Sequence, residues 1–297
     1  MSSQSTTYQL SYGLKSKLRD YAMLFKIRLS VVVVFSALAG YMLAADSISG
    51  VHLILLSIGG LLVTGASNTI NQIIEKDTDK LMKRTQDRPI AANRMNVAEA
   101  IIVAGISSVS GLLILLLCFN PITSSLAAVA LISYAFIYTP LKKITPIAVF
   151  IGAIPGALPP LLGYVSVTGQ IDSFTIWLFL IQFIWQFPHF WAIAWVAYED
   201  YKRAGIFLLP EKKQDSKYNA FLCVVYVLMI IPLILVAFMQ SQMGLVAAII
   251  AIAFTMLFLL PAIELYRKRT VAVAKKLMFA SFIYLPMILI LLVIDKM

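Results

Sequence analysis

Residues 71–89 of the chain read NQIIEKDTDKLMKRTQDRP, and they overlap the end of an apolar segment, residues 51–74, that is long enough to cross a bilayer. If the membrane helix continues through this stretch, Asn71, Glu75 and Asp79 recur at every fourth residue and share one helix face. Ionisable side chains at membrane depth are costly to keep, so they indicate a function. The stretch therefore predicts a polar site at the end of a membrane helix.

Apolar residues dominate the rest of the chain as well. Of its 297 residues, 61% are hydrophobic and 13% are charged, and the mean hydropathy is +0.89. This composition excludes an ordinary soluble globule and is typical of a polytopic membrane protein. We expect an all-α fold with about nine transmembrane helices. The predicted spans are residues 28–45, 51–74, 97–119, 122–140, 145–166, 174–197, 219–239, 244–264 and 277–294.

The positive charges are sorted between the loops. Of the 24 Lys and Arg residues, 23 lie in the N-terminal segment or in the even-numbered loops, and the remaining one is Lys296. Positive residues concentrate on the cytoplasmic side of membrane proteins. We therefore expect a cytoplasmic N-terminal segment, residues 1–24, a single transmembrane domain, residues 25–297, and a C-terminus outside. The net charge of +10 follows from this topology, so we expect a lipid bilayer and no nucleic acid around the chain.

The carboxylates of the opening stretch precede a cluster of cations, Lys83, Arg84 and Arg88. Carboxylate and amide oxygens are the ligands that Mg²⁺ prefers, and the cations are suited to the phosphates that such a metal bridges. This pattern predicts a site for a metal and a phosphate. Asp77 points away from the shared face, and a solvated or capping role is as open for it as a ligand role.

Other polar residues of the same helix have a simpler interpretation. Asn68 and Gln72 lie beside the carboxylates at helical spacing. Amide side chains in membrane helices commonly form hydrogen bonds between helices. We interpret these two as such links.

A second polar stretch, residues 182–210, ends another predicted span. Gln182, Gln186 and His189 lie on one face of that helix. A single histidine in a helix is either a hydrogen-bonded packing residue or a residue that faces a substrate. Both interpretations of His189 remain open at this point.

Acidic and basic residues again lie close together in the sequence where this span ends. Asp200 precedes Lys202 and Arg203, which indicates either a second part of the phosphate site or an ordinary interfacial anchor. Lys142 and Lys143 are the only charges in a short loop of the same side. We expect them both to set the topology and to contribute to the phosphate site.

Proline interrupts the fifth predicted span. Residues 145–166 contain Pro155, Pro159 and Pro160, each of which removes a backbone donor. The freed carbonyls need partners from neighbouring helices, so the span is predicted to lie inside the bundle. Gly152 and Gly156 form a small-xxx-small pair that predicts a close approach between helices.

Together these motifs resemble the UbiA superfamily of intramembrane prenyltransferases over residues 25–295. The family's first motif, Asn-x-x-x-Asp-x-x-x-Asp followed by Arg-Thr-x-x-Arg-Pro, is similar to residues 71–79 and 84–89, with Glu75 where many relatives have Asp. Residues 188–191, 199–201 and the stretch YTPLKKIT at 138–145 resemble the haem-directed branch of the family. The second acidic pair of the wider superfamily is not intact, because Asp200 would pair with Ala204.

The resemblance implies the transfer of a farnesyl group from farnesyl diphosphate to a vinyl group of haem b, giving haem O, in the cytoplasmic (inner) membrane of a bacterium. It implies that Mg²⁺ is held by Asn71, Glu75, Asp79 and Asp200. The cations implied at the diphosphate are Lys83, Arg84, Arg88, Lys142, Lys143, Lys202 and Arg203. His189 is implied to contact the haem. A haem A synthase or a terminal oxidase is an implied partner.

Two other functions remain open. Transfer of a polyprenyl chain to an aromatic quinone precursor would use the same first motif, although the second polar stretch argues against it. A transporter would also have intramembrane acids and proline-broken helices. The acids here cluster at one membrane face beside a basic loop, whereas a transporter site lies near the midplane. Metal-dependent release of diphosphate would distinguish an enzyme from a transporter.

Overall fold

A computed structural model describes residues 13 and 15–296, and every regular element in that part of the chain is helical. Within it, nine helices are long and apolar enough to cross a membrane, which confirms the predicted fold class. We label them α1 to α9 in chain order. They are Ile27–Ala44, Gly50–Asp79, Val97–Cys118, Pro121–Leu141, Ala148–Thr168, Ser173–Val196, Lys217–Met239, Leu245–Lys268 and Val271–Lys296. Residues 1–12, which belong to the predicted segment 1–24, lie outside the described residues.

The helix ends differ from the predicted ones by up to six residues. Helix α2 continues to Asp79, five residues beyond the predicted end, and α9 begins at Val271 rather than at residue 277. Hydropathy locates the apolar middle of a helix, whereas polar turns extend the helix past that middle. The extension of α2 places the whole acidic motif in regular helix.

Contacts between loops bring the positively charged segments to one end of the bundle, which we call the basic end. Arg94, after α2, pairs with Asp20 of a helix over residues 15–24, with 3.0 Å between Nη2 and Oδ1. At the opposite end, Lys296 donates to the carbonyl oxygen of Ala45 at 2.9 Å. The sorting of charges in the sequence thus corresponds to two distinct ends of the bundle.

Helices α5 and α6 form the interior of the bundle and are the most buried of the nine. Gln182 on α6 donates from Nε2 to the carbonyl oxygen of Gly156 on α5 at 2.7 Å. That carbonyl has no helical partner because Pro160, four residues later, lacks an N–H. The expectation that the proline-rich span lies inside the bundle is confirmed.

Helices α1 and α5 touch backbone to backbone. A Cβ atom at Gly163 would overlap the carbonyl oxygen of Ala37, and one at Gly40 would overlap the carbonyl oxygen of Pro160. Glycine is therefore required at both positions by close packing. This contact holds α1 against the centre of the bundle.

The glycine pair of α5 has a different role from the predicted one. A Cβ at Gly152 would lie 2.7 Å from the ring of Tyr138, and one at Gly156 would overlap the side-chain oxygen of Gln186. The pair makes room for side chains of neighbouring helices rather than for their backbones. Spacing alone does not distinguish these two uses of small residues.

Candidate active site

Asn71, Glu75 and Asp79 lie on one face of α2, as their spacing predicts, and we call them the acidic stripe. All three are buried, with at most 2% of any residue exposed. Asn71 Nδ2 donates to Glu75 Oε2 at 2.9 Å. Asp77 is directed elsewhere, since 77% of its side chain is exposed and it pairs with Lys80 at 3.5 Å. The structure thus places Asp77 outside the stripe.

Arg88 returns to the stripe from the loop that follows α2. Its Nη1 donates to both carboxylate oxygens of Asp79, at 2.8 and 2.7 Å, and lies 4.0 Å from Glu75 Oε2. Thr85 fixes the turn, because its hydroxyl donates to the carbonyl oxygen of Asp79 at 3.0 Å. Only 16% of the Arg88 side chain is exposed. Hydrogen bonds to both oxygens stabilise charges that are removed from water to this degree.

Lys142 approaches Glu75 from the end of α4. Its Nζ lies 2.5 Å from Glu75 Oε1, so Lys142 is the counter-charge of this buried carboxylate. Burial lowers the pKa of Lys142 below its usual range, and Glu75 opposes that shift. The Nζ also lies 5.3 Å from the ring centre of Tyr138.

An irregular turn of α4 positions this lysine. Residues Ser133–Tyr138 form a π-helix, a geometry that occurs frequently at functional sites. Thr139, which follows it, donates to the carbonyl oxygen of Tyr134 at 2.8 Å and accepts from Asn71 Nδ2 at 3.1 Å. The hydroxyl of Thr139 therefore joins α4 directly to the acidic stripe.

Lys26 completes the charged group, although the sequence assigned it only to topology. Its Nζ donates to Asn71 Oδ1 at 2.9 Å. Burial and the neighbouring cations Arg88 and Lys142 lower the pKa of Lys26 well below its usual range. We call Lys26, Arg88 and Lys142 the inner cations. Nothing in the local sequence separates Lys26 from the exposed Arg28, so packing alone identifies it.

Two amide side chains of α2 hold the main chain just before Lys26. Gln72 Nε2 donates to the carbonyl oxygens of Met23 and Leu24 at 3.1 and 2.7 Å. Asn68 Nδ2 donates to the carbonyl oxygen of Phe25 at 3.3 Å. These carbonyls end the helix over residues 15–24 and need partners from outside it. The interpretation of both amides as links between helices is confirmed.

Asp200 belongs to a separate group of contacts, which we call the clasp. It forms an ion pair with Arg203 and accepts from the main-chain N–H of Arg84 at 3.3 Å. Arg203 Nε donates to the carbonyl oxygen of Leu81 at 3.2 Å, and Arg84 Nη2 donates to the hydroxyl of Tyr201 at 3.2 Å. The clasp joins the loop after α2 to the loop after α6 at the basic end.

The acidic stripe is a suitable donor set for Mg²⁺. It offers two buried carboxylates and one buried amide oxygen, all hard oxygen ligands. Residues 15–296 contain no group of three or more His, Cys, Asp or Glu side chains that could hold a metal ion, so Asp200 does not share one cluster with Glu75 and Asp79. A metal-ligand role for Asp200 remains a prediction.

The structure divides the cations that were predicted at the diphosphate. Two of them contact the acidic stripe, two belong to the clasp, and three are exposed on the surface of the basic end. In that order they are Arg88 and Lys142, then Arg84 and Arg203, then Lys83, Lys143 and Lys202.

His189 lies in α6, away from these charges. Its Nδ1 is 2.7 Å from the Oγ of Ser281 on α9. The ring stacks on Trp185 with 4.7 Å between centroids and meets Phe282 edge-on at 5.0 Å. Its position joins α6 to α9.

Known proteins are similar to this chain in sequence and in fold. The model of the UbiA prenyltransferase family matches residues 33–285. A protein named protoheme IX farnesyltransferase from Cytophaga hutchinsonii is 44% identical over 282 residues, which cover 95% of this chain and 99% of the relative. A protein of the same name from Christiangramia forsetii is 44% identical over 285 residues, covering 95% and 94%. The structure of a UbiA homologue from Archaeoglobus fulgidus bound to GPP and Mg²⁺ matches with a TM-score of 0.71 at 15% identity, covering 92% of this chain and 99% of that one.

Proposed function

Because the chain belongs to the UbiA prenyltransferase family, we propose that it transfers a farnesyl group from farnesyl diphosphate to a vinyl group of protohaem IX (haem b), giving haem O and diphosphate. The name of relatives that are 44% identical over nearly the whole chain supports this choice of donor and acceptor. The observation that carries the proposal is the acidic stripe in direct contact with the inner cations at one end of an apolar bundle.

The acids and the cations of this site neutralise each other in the structure. Glu75 pairs with Lys142, and Asp79 pairs with Arg88. A complex of Mg²⁺ with diphosphate carries both positive and negative charge. Its binding would therefore give the acids and the cations of the site new partners in place of each other. The oxygens of the acidic stripe would hold Mg²⁺, and the inner cations would hold phosphate oxygens. The Archaeoglobus fulgidus homologue, described with GPP and Mg²⁺, supports the choice of metal.

The clasp residues and the exposed cations of the basic end also have roles in this proposal. If the clasp rearranges around the substrate, Asp200 would leave Arg203 and would add a carboxylate to the metal. The guanidinium groups of Arg84 and Arg203 would then be free to contact the diphosphate. The exposed cations Lys83, Lys143 and Lys202 attract the anionic substrate to the basic end.

The chemistry that follows requires charge stabilisation and a dry cavity. Mg²⁺ held by the acidic stripe would supply neutralisation of charge on the leaving diphosphate. The inner cations stabilise the same leaving group, and its departure gives an allylic cation. The π electrons of a haem vinyl group form the new C–C bond, and water adds its oxygen to the resulting cation and releases a proton. The apolar helices keep water from the allylic cation before that bond forms.

The charge distribution also supports an orientation in the membrane. Positive loops favour the cytoplasm, so we place the basic end and the N-terminus there and the C-terminus outside, in the inner membrane of a bacterium. A haem O product is a substrate for a haem A synthase or a prosthetic group for a terminal oxidase. Either enzyme is a partner under this proposal.

The test uses purified protein in lipid with haem b, farnesyl diphosphate and Mg²⁺, and mass spectrometry for haem O. We expect haem O from the wild type and from Asp77→Asn, whose carboxylate is exposed. Glu75→Gln keeps the size of the side chain and removes its charge, so we expect about 100-fold less product. Removal of Mg²⁺ with a chelator should stop the reaction.

Two results would contradict the proposal. A wild type that releases diphosphate only with an aromatic acceptor would assign the chain to quinone-type transfer. A wild type that releases no diphosphate with any acceptor would favour the transporter.

A further inference from the structure

A cavity lies at the end of the bundle opposite the basic end, which we call the far end. Its volume is about 610 Å³, within the range of about 300–1,000 Å³ that is usual for ligand pockets. The lining comes from α1, α5, α6, α7, α8 and α9 and from the loop between α7 and α8. The candidate active site lies at the basic end, so this cavity is separate from it.

Part of the lining is apolar and aromatic. Leu292 is buried there, and the rings of Tyr164 and Phe174 lie 5.3 Å apart between centroids. Phe238 and Leu245 also line the cavity and are exposed, one near the end of α7 and the other at the start of α8. Exposed apolar side chains of membrane helices contact lipid. The cavity is therefore continuous with the lipid-facing surface of these two helices.

Two charges of opposite sign from the end of α9 line the same cavity. Asp295 Oδ2 accepts from the main-chain N–H of Gly244 at 2.8 Å, and Lys296 Nζ donates to the carbonyl oxygen of Ala45 at 2.9 Å. Among residues 15–296, neither side chain forms an ion pair. These two bonds cap α8 and α1, which accounts for one oxygen of Asp295 and one N–H of Lys296. A second carboxylate oxygen and two ammonium N–H groups remain for a ligand.

Gln242, in the loop between α7 and α8, adds an acceptor to this lining. Its Nε2 donates to the hydroxyl of Ser173 at 3.0 Å, and its Oε1 is buried without a hydrogen-bond partner in the described part of the chain. A buried oxygen without a donor costs free energy. A ligand that brings N–H donors into the cavity suits both this oxygen and Asp295, whereas a quaternary ammonium has no N–H to offer.

These features together define the chemistry of the ligand. The lipid-facing rim suits acyl chains, so the ligand is an amphiphile. The acceptors Asp295 and Gln242 suit a primary ammonium, and Lys296 suits a phosphate. A phosphoethanolamine head group carries both charges, joined by a short ethylene link, which matches the adjacent positions of Asp295 and Lys296 in the chain.

We propose that the far-end cavity binds a phospholipid with a phosphoethanolamine head group, whose ammonium contacts Asp295 and Gln242 and whose phosphate contacts Lys296. The bound lipid would link the end of α9 to the loop between α7 and α8. The inference goes beyond the proposed reaction and does not depend on it.

Native mass spectrometry of the chain released from nanodiscs tests the site. The nanodiscs contain equal amounts of phosphatidylethanolamine and phosphatidylcholine with the same acyl chains, and the lipid of each class that stays bound is measured. We expect the wild type to retain the ethanolamine lipid about tenfold more often, because the choline head group has no N–H for the two acceptors. Equal retention of the two lipids would overturn the inference.

Two variants assign the charges. Asp295→Asn keeps an oxygen for the N–H of Gly244 and removes the charge, so it should lose the preference for ethanolamine while α8 stays capped. Asp46→Asn is the matched control, because Asp46 is an exposed acid between α1 and α2 that does not line the cavity. It should keep the wild-type preference. Lys296→Gln should lower the retention of both lipids by a similar factor, because both head groups carry the phosphate. Wild-type retention in Asp295→Asn and Lys296→Gln would overturn the inference.

A second arm of the experiment distinguishes a membrane lipid from a soluble ligand or an anionic lipid. Free phosphoethanolamine carries the same charges without acyl chains, so an equal amount should not displace the bound lipid. Displacement would overturn the assignment to a lipid. Preferential retention of phosphatidylglycerol, which has no ammonium, would overturn the assignment of the head group. None of these readouts involves haem O, so failure of this inference and failure of the proposed function are distinguishable.

Discussion

The ammonium group of Lys26 donates to Oδ1 of Asn71 at 2.9 Å, across 45 residues of sequence. Asn71 also donates to Glu75 and to Thr139, so the segment before α1, the acidic helix and the end of α4 meet at one amide. A metal that took Asn71 Oδ1 as a ligand would displace Lys26 from it. Metal binding would thus release a cation beside the proposed position of the diphosphate.

Lys26→Ala should therefore weaken use of farnesyl diphosphate. A hydrogen bond to a charged group is worth about 1.5–3 kcal/mol, so we expect kcat/KM to fall by about 10–100-fold. Arg28→Ala is the matched control, because Arg28 carries the same charge two residues later and is exposed. Its activity should stay within about 0.5 kcal/mol of the wild type. Equal losses in the two variants would argue that Lys26 acts only through topology or lipid contact.

Arg88→Ala should lower the stability of the protein as well as its activity. It leaves the buried carboxylate of Asp79 without a counter-charge, which costs about 3–5 kcal/mol of the free energy of unfolding when a buried pair is broken. Unfolding by denaturant in detergent measures this loss. Asp79→Asn in the Arg88→Ala background should recover part of it, since the unpaired charge is removed. Lys80→Ala breaks an exposed pair with Asp77 and should change stability by less than about 1 kcal/mol.

Local periodicity predicted the parts of this site that lie on one helix. The acidic stripe follows from the spacing of Asn71, Glu75 and Asp79, provided that α2 continues through them, and it does. The interior position of α5 follows from its prolines, because freed carbonyls in a membrane need partners. Both inferences depend on geometry that repeats along a single element.

The sequence did not predict the contacts between segments that are far apart in the chain. Lys26 enters the site because Asn68 and Gln72 hold the carbonyls before it, and the π-helix of α4 places Lys142 on Glu75. Neither arrangement has a local signature. Charge runs also fail to show which cations are buried, since Lys142 is buried and the adjacent Lys143 is exposed.

Asp200→Asn should raise the Mg²⁺ concentration needed for half-maximal activity. If Asp200 moves from Arg203 to the metal, the loss of one charged ligand weakens metal binding by about tenfold or more. Glu199→Gln is the control, because Glu199 is the adjacent, exposed acid. Activity measured against Mg²⁺ concentration distinguishes a metal ligand from a residue that only holds the two loops of the clasp together. An Asp200→Asn variant with lower activity and an unchanged Mg²⁺ requirement would limit Asp200 to the clasp.

Gly163→Ala should reduce both stability and activity. Its Cβ would overlap the backbone carbonyl of Ala37, which cannot rotate away as a side chain can, so α1 must move from α5. Overpacking of this kind costs about 1–3 kcal/mol. Because Lys26 directly precedes α1, the displacement of that helix should also disturb the link between Lys26 and Asn71.

Gly105→Ala in α3 provides the comparison, since a Cβ there meets nothing within 4 Å. Alanine is favoured over glycine within a helix by about 0.5–1 kcal/mol, so this variant should be as stable as the wild type or slightly more stable. Denaturant unfolding and farnesyl transfer measured on both variants separate the general effect of glycine replacement from the backbone contact. Similar stability in the two variants would show that α1 and α5 tolerate separation and that their contact does not hold Lys26 in place.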